Sequence, residues 1–132
     1  AVRVDLEPDG PGTFVIIGDA ERLRQAFENV IANAVRHSPA GCPVTVRLEN
    51  RGEGDARLAV VEIIDRGAGI APEVLPTIFE RFASGRGSQG LGLGLFLAAQ
   101  IARAHGGVLC VDSTLGRGSR FRFELPIAVA AE

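Results

Sequence analysis

The stretch GLGLGLFLAAQIARAHGG (residues 90–107) places three glycines directly before an apolar run with helical spacing. The first N–H groups of a helix have no partner within the helix, and the helix dipole is positive at that end. Glycines let those N–H groups approach an anion closely, so the stretch predicts a phosphate site before a helix over residues 93 to about 105. The alternative is a flexible loop whose leucines only pack.

Two other phosphate-binding motifs are excluded by their context. Gly85, Gly87 and Gly90 match G-x-G-x-x-G, but the residues before them end a short helical stretch and not a strand, so a dinucleotide site is not predicted. The chain contains no lysine, which excludes a P-loop.

The composition indicates one globular domain over residues 1–132. Hydrophobic residues make up 46% and charged residues 23%, and the net charge of −2 without a basic block does not favour nucleic acid. No apolar run reaches the roughly 18–20 residues that cross a bilayer. The two cysteines lack metal spacing, and a reduced cytosolic setting is expected. Because the first residue is Ala1, we expect a piece of a longer chain.

Hydrophobic periodicity predicts the order β-β-α-β-β-α-α-β-β. The strands are predicted at residues 2–7, 13–18, 44–50, 56–65, 108–114 and 119–126. Besides the helix after the glycines, we expect a helix at residues 20–37 with Asp19 as its N-cap, and a short helical stretch at residues 75–82. Because most strands form hairpins, the fold class is an α/β two-layer sandwich (α+β), with a mixed, mostly antiparallel sheet covered on one face by helices.

Asn29, Asn33 and Arg36 share one face of the first helix, and His37 follows them. Helix interiors do not favour asparagine. An amide oxygen suits Mg²⁺ and a guanidinium suits phosphate, so this polar stripe is a candidate binding surface. The alternative is a solvated helix face on which the asparagines are incidental.

Asp65 ends an apolar strand directly before RGAGI. A carboxylate there can accept a hydrogen bond from the exocyclic amine of adenine. Gly67 and Gly69 would let the backbone pass close to a flat ring. The alternative is an ordinary Asp-x-Gly turn.

Five stretches of the chain, taken in order, resemble the characteristic motifs of one family. The N box is NVIANAVRHSP, the G1 box is DRGAGI, the F box is IFERF, the G2 box is GLGLGL, and the final segment is STLGRGSRFRFELP. The family is the catalytic ATP-binding domain of bacterial sensor histidine kinases, within the wider group of gyrase B, Hsp90 and MutL. The resemblance extends from about Asp19 to Pro126 and implies the Bergerat ATP-binding fold.

The resemblance implies a site for ATP and magnesium. Asn33 would be the principal Mg²⁺ ligand with support from Asn29, and Asp65 would accept from the adenine amine. The residues that the resemblance places at the nucleotide are Asn29, Asn33, Arg36, His37, Asp65, Gly67, Gly69, Ile70, Phe82, Arg86, Gly90, Leu91, Gly92, Leu93, Gly94 and Ser119.

The lid over the nucleotide, about residues 83–92, departs from the family pattern. Ser84 stands where many of these kinases carry an arginine, and Arg86 is the candidate substitute. The lid is also short, so weaker or more exchangeable binding is expected. Phe79 and Phe82 would anchor the lid, or would be buried as core residues.

The resemblance also predicts the chemistry. ATP-hydrolysing relatives carry a glutamate where this chain has Asn29, and the adjacent Glu28 points about 100° away on the helix, so no catalytic base is expected. The domain would hold ATP and donate its γ-phosphoryl group to a histidine on a separate dimerisation domain. His105, at a helix end, is expected to be a capping residue.

The implied partners are the dimerisation domain of the parent protein and a downstream response regulator, with no nucleic acid and a monomeric isolated domain. The parent would be anchored in the bacterial inner membrane, with this domain on the cytoplasmic side. Two alternatives stay open: a serine kinase of the anti-sigma-factor type, and a non-catalytic ATP-sensing module.

Overall fold

The fold is described from a computed structural model, which covers residues 16, 18–52, 57–80 and 93–127 and the backbone of residues 4–8. The elements are β1 (Val4–Pro8), α1 (Ala20–His37), β2 (Val44–Arg51), β3 (Leu58–Asp65), a 3-10 helix (Leu75–Thr77), α2 (Gly94–Ala104), β4 (Val108–Thr114) and β5 (Gly118–Pro126).

The five strands form one mixed sheet in the order β1-β2-β3-β5-β4. β1 and β2 are parallel because α1 connects them as a crossover, whereas β2–β3, β3–β5 and β4–β5 are antiparallel. β2–β3 and β4–β5 are hairpins, as expected for a chain in which most strands form hairpins. The two-layer sandwich with a mostly antiparallel sheet is therefore confirmed.

Helix α1 has the predicted bounds because its N-cap and its apolar spacing agree. The Asp19 carboxylate accepts a hydrogen bond from the Arg22 N–H at 3.1 Å. Ala26, Val30 and Ala34 are fully buried, and the half-buried Asn29 and Asn33 lie beside this stripe on α1. No helix in the described part of the chain is long and apolar enough to span a membrane.

The core lies between the two helices and one face of the sheet. Phe27 of α1 meets Phe123 of β5 edge to face, with ring centroids 4.9 Å apart. Alanines on both helices, such as Ala34 and Ala98, are fully buried and let α1 and α2 pack side by side. This packing places the polar side of α1 next to the beginning of α2.

The outer face of the sheet also contains a buried charge. Glu62 is only 2% exposed. Its two carboxylate oxygens face Arg47 Nη1 at 3.5 Å and Arg120 Nη1 at 3.4 Å. The two arginines come from the neighbouring strands β2 and β5, so the three side chains join the central strands across the outer face.

The strand predicted at residues 13–18 is wrong at the two positions there that the structure describes, since Ile16 and Gly18 are not in a strand. Gly18 lies against the ring of His105, and the next residue, Asp19, donates its N–H to that ring. The chain is held here by the end of α2 and not by strand pairing. The short helical stretch predicted at residues 75–82 contains the 3-10 helix Leu75–Thr77.

Candidate functional site

The polar stripe of α1 faces the start of α2. Asn29 and Asn33 are half-buried, and Arg36 and His37 are exposed. Asn29 Nδ2 donates to the carbonyl oxygen of Gly94 at 3.2 Å, which joins the stripe to the first turn of α2. Arg36 Nη2 donates to Asn33 Oδ1 at 3.2 Å. Asn29 is therefore part of a contact between the two helices, while Asn33 bonds to Arg36 within α1.

The start of α2 is suited to an anion. Its N-cap residue is Leu93, whose side chain has no acceptor with which to cap the first N–H groups. The Leu93 carbonyl accepts from Leu97 at 2.8 Å, which closes the first turn. The remaining N–H groups of that turn lie at the positive end of the helix dipole, next to Asn29.

Asp65 ends β3 with its side chain on the helix side of the sheet and only 3% exposed. Burial raises the pKa of its carboxyl group, and N–H groups of Gly67 and Ser119 and the nearby His37 act in the opposite direction. Asp65 Oδ1 accepts from the Gly67 N–H at 2.8 Å. Among the described residues no cation is bonded to this carboxylate, so it has acceptor capacity to offer a ligand.

The residues after Asp65, which we call the β3 loop (residues 66–70), pass through a narrow space. At Gly67 a Cβ would overlap the carbonyl oxygen of His37, the last residue of α1. Gly69 has φ +80°, and a Cβ there would overlap the carbonyl oxygen of Thr114. Gly116 N–H donates to the Ala68 carbonyl at 2.8 Å. The β3 loop is therefore held between the end of α1 and the β4–β5 turn.

Ser113, near the end of β4, ties the β3 loop to β5. Its Oγ accepts from the Ile70 N–H at 2.7 Å and donates to the Gly118 carbonyl at 2.9 Å. The hydroxyl groups of Ser113 and Ser119 are 2.9 Å apart. Ser119 is 7% exposed and pairs with Asp65 across the two strands. Sequence reasoning missed Ser113; the only signal for it was the regular serine and glycine spacing in STLGRGS.

The polar stripe on α1 runs from Asp65 and the β3 loop, at one end of the candidate site, to the start of α2 at the other. His37 lies beside Asp65 and Gly67, and Asn29 lies beside Gly94. Asn33 lies halfway between His37 and Asn29, with about 6 Å of helix on each side at 1.5 Å per residue. The structure thus brings together a buried carboxylate, a helix start and the amides between them.

Part of the predicted site lies outside the described residues: Phe82, Arg86, Gly90, Leu91, Gly92 and the rest of the lid, residues 83–92. Phe79 is described and packs against the core, with its ring centroid 6.1 Å from that of Phe121. The core packing is therefore seen for Phe79, which is half-buried, and its expected contact with the lid lies outside the described residues.

The description of the matching family model is "Histidine kinase-, DNA gyrase B-, and HSP90-like ATPase", and it matches residues 18–129. The chain belongs to this family. The resemblance seen in the four boxes is thereby confirmed. Within this family, the similar curated proteins are sensor histidine kinases, and so are similar solved structures.

Two curated relatives match almost the whole chain. The sensor-like histidine kinase SenX3 of Mycobacterium tuberculosis is 35% identical over 97% of this chain and 32% of its own length. The sensor histidine kinase RppB of Synechocystis is 37% identical over 96% of this chain and 28% of its own length. The chain therefore spans about a third of the length of these relatives.

Two solved structures confirm the Bergerat fold of the family. The mycobacterial sensor histidine kinase MprB has a TM-score of 0.82 and 33% identity, over 98% of this chain and 84% of that one. Full-length ShkA, solved in complex with AMPPNP, has a TM-score of 0.79 and 32% identity. The match covers 99% of this chain and 27% of ShkA.

Proposed function

We propose that this chain is the ATP-binding catalytic domain of a sensor histidine kinase, and that it donates the γ-phosphoryl group of ATP to a histidine on a separate dimerisation domain. One observation carries the proposal: the α1 stripe joins a buried carboxylate at one end to the start of α2 at the other. The names of the relatives support histidine phosphorylation over the serine-kinase and ATP-sensing alternatives.

The Asp65 end of the site is the proposed adenine end. A buried carboxylate accepts hydrogen bonds and offers none, so it favours a base with an exocyclic amine over one with an oxo group there. Gly67 and Gly69 supply a wall without side chains, with Ile70 and His37 at its borders. The Gly67 N–H, which donates to Asp65 Oδ1 at 2.8 Å, fixes the orientation of the carboxylate before a ligand arrives.

The Asn29 end is the proposed phosphate end. The N–H groups of Leu93 and Gly94 at the start of α2 would bind phosphate oxygens, and Arg36 would add a positive charge. The resemblance adds Phe82, Arg86, Gly90, Leu91 and Gly92 from the lid. Ser119 would contribute at the adenine end beside Asp65.

The amide oxygens on α1 fit a magnesium ion. Asn29 directs its NH₂ group to the Gly94 carbonyl, so its Oδ1 is the atom that it can offer to a metal. Asn33 Oδ1 accepts one hydrogen bond from Arg36 and has a second lone pair. Hard, neutral oxygens of this kind suit Mg²⁺, which usually binds phosphates at the same time. When bound, Mg²⁺ would neutralise charge on the phosphates.

The chain's own residues bind and orient ATP but are not arranged to activate water. Asn29 has no proton-accepting group at the position where hydrolysing relatives carry a glutamate, and Glu28 is exposed on another side of α1. Slow hydrolysis follows, so ATP is held for transfer to a histidine. We propose the dimerisation domain and a response regulator as partners, and a parent anchored in the bacterial inner membrane.

Calorimetric titration of the chain with ATP and Mg²⁺ tests the binding. We expect Asp65→Asn to weaken ATP binding at least about tenfold, because an amide presents an NH₂ group or rotates away from the amine. Asp112→Asn is the matched control, since Asp112 is an exposed carboxylate on the outer face. Equal loss of affinity in both variants, or in neither, contradicts the adenine role of Asp65.

The full-length protein with γ-labelled ATP tests the transfer. Phosphohistidine is labile in acid, whereas phosphoserine is stable there. Acid-labile label on the parent supports histidine phosphorylation, and acid-stable label supports the serine-kinase alternative. Tight ATP binding without any label contradicts the kinase proposal.

A further inference from the structure

The hydroxyl of Ser113 contacts three groups on two other segments, the β3 loop and β5. They are the Ile70 N–H of the β3 loop, the Gly118 carbonyl at the start of β5 and the Ser119 hydroxyl, at 2.7, 2.9 and 2.9 Å. Ile70 and Ser113 are 43 residues apart in the chain, so this bond is a tertiary contact and not a local turn. Ser113 itself stands one strand further from Asp65 than Ser119 does.

Counting protons at this hydroxyl gives the direction of each bond. The Ile70 N–H can only donate and the Gly118 carbonyl can only accept. The single proton of Ser113 is therefore used on Gly118, and the Ser119 hydroxyl donates to Ser113. Ser119 then has lone pairs, and no proton, to offer to anything else. Its neighbour across the strands is the Asp65 carboxylate, which is also an acceptor.

The same three bonds fix the backbone on which Asp65 depends. Ile70 ends the β3 loop, which begins directly after Asp65 and contains the Gly67 N–H that binds the carboxylate. Ser119 is the register partner of Asp65 on β5. Ser113 thus bonds both to the β3 loop, which orients Asp65, and to the residue paired with Asp65 in the sheet.

We propose that Ser113 is a positioning residue for base recognition: its hydroxyl fixes the β3 loop and makes Ser119 an acceptor beside Asp65. Two adjacent acceptors then select a purine with an exocyclic amine. This inference rests on the proposed function, because it concerns how the same site distinguishes its base. It makes Ser113 a determinant of selectivity without direct contact to the nucleotide.

The test compares two nucleotides in the presence of Mg²⁺: ATP, and purine riboside triphosphate, which lacks the exocyclic amine. The variants are Ser113→Ala, which removes the hydroxyl, and Ser113→Thr, which keeps it. Thr114→Ala is the matched control, because Thr114 is the next residue of β4 and is exposed on the opposite face. Hydrogen exchange of the Ile70 N–H without nucleotide gives a second readout.

We expect Ser113→Ala to weaken ATP binding about three- to tenfold, the effect of one typical hydrogen bond, and to leave purine riboside triphosphate nearly unchanged. The preference for ATP falls by the same factor, and exchange at Ile70 accelerates. Ser113→Thr and Thr114→Ala should retain the original preference. If Ser113 were only structural, Ser113→Ala would weaken the binding of both nucleotides equally. The ratio of the two affinities therefore separates a structural role from a role in base recognition.

Each contrary result has its own meaning. A chain that binds ATP but keeps the same preference after Ser113→Ala overturns the role of Ser113 alone. Faster exchange at Ile70 without a change in preference does so as well. An unmodified chain that binds neither nucleotide overturns the proposed function, and the role of Ser113 with it.

Discussion

His105, which follows α2, accepts a hydrogen bond at Nε2 from the backbone N–H of Asp19, the N-cap of α1, at 3.0 Å. Since a backbone N–H can only donate, Nε2 carries no proton. The other nitrogen, Nδ1, lies 2.8 Å from the Ile101 carbonyl and must donate to it. The ring thus joins the end of one helix to the beginning of the other. The expected capping role of His105 is extended here to a second helix.

The first prediction concerns this contact. His105→Ala should lower the free energy of unfolding by about 1–2 kcal/mol, because two hydrogen bonds to backbone groups are lost. Gly18→Ala should act similarly, since a Cβ at Gly18 would overlap the imidazole ring. Urea denaturation without nucleotide measures both. His37→Ala is the control, because His37 is exposed and its imidazole has only the smallest of the effects that shift the pKa of Asp65. Equal stability of the His105 and His37 variants would count against the contact.

The second prediction concerns pH and Asp65. Burial raises the pKa of this carboxyl above its ordinary 3.8, so the folded state binds the proton more tightly than the unfolded chain does. The native protein should therefore lose stability relative to Asp65→Asn as the pH rises from 3.8 through the raised pKa. Above the raised pKa the difference should become constant. Denaturation of both proteins without nucleotide between pH 3 and 7 measures it. If the native protein instead becomes more stable relative to Asp65→Asn over this pH range, the pKa of Asp65 is not raised.

The third prediction concerns the buried charge on the outer face of the sheet. Glu62→Ala should lower the free energy of unfolding by about 1.5–3 kcal/mol, the range for hydrogen bonds to charged groups. ATP affinity should not change, because Glu62 lies on the face away from the site. Asp112→Ala is the control: Asp112 also pairs with an arginine, but its side chain is 63% exposed, so the expected loss is below about 1 kcal/mol. A similar loss of unfolding free energy in both variants would show that the burial of Glu62 does not strengthen its ion pairs.

The sequence predicts the bounds of helices and strands better than it predicts the contacts between them. Helix α1 is correct at both ends because Asp19 and the apolar spacing act locally. Likewise, the alternation in β4 gives its bounds, Val108–Thr114. The sequence does not reveal that β5 lies between β3 and β4, and this order is what brings Ser113 within reach of Ile70.

The two buried carboxylates of β3 also differ in how far the sequence predicts them. The sequence indicates Asp65 as a candidate site residue because it ends an apolar strand before glycines. In the structure it is buried on the helix side of the sheet. Glu62 is in the same strand, on the outer face of the sheet, and no sequence motif points to it. It is buried because arginines from two neighbouring strands approach it, and only strand order and register determine which residues those are.

The fourth prediction separates backbone strain from close approach. Gly69 and Gly41 both have positive φ, +80° and +86°, so an alanine at either position is strained by about 1–2 kcal/mol. At Gly41 a Cβ would meet nothing within 4 Å. At Gly69 it would overlap the Thr114 carbonyl, which belongs to the rigid backbone of β4. Gly41→Ala is therefore a control for the strain alone.

We expect Gly41→Ala to lower the free energy of unfolding by that amount and to bind ATP normally. Gly69→Ala should lose more stability and should also weaken ATP binding, because the β3 loop must move away from the β4–β5 turn and take the Gly67 N–H with it. Denaturation and calorimetry of the two variants measure both effects. Should the two alanines give the same loss of stability and the same ATP affinity, the space between the β3 loop and the β4–β5 turn would not control the site, and the orientation of Asp65 would need another cause.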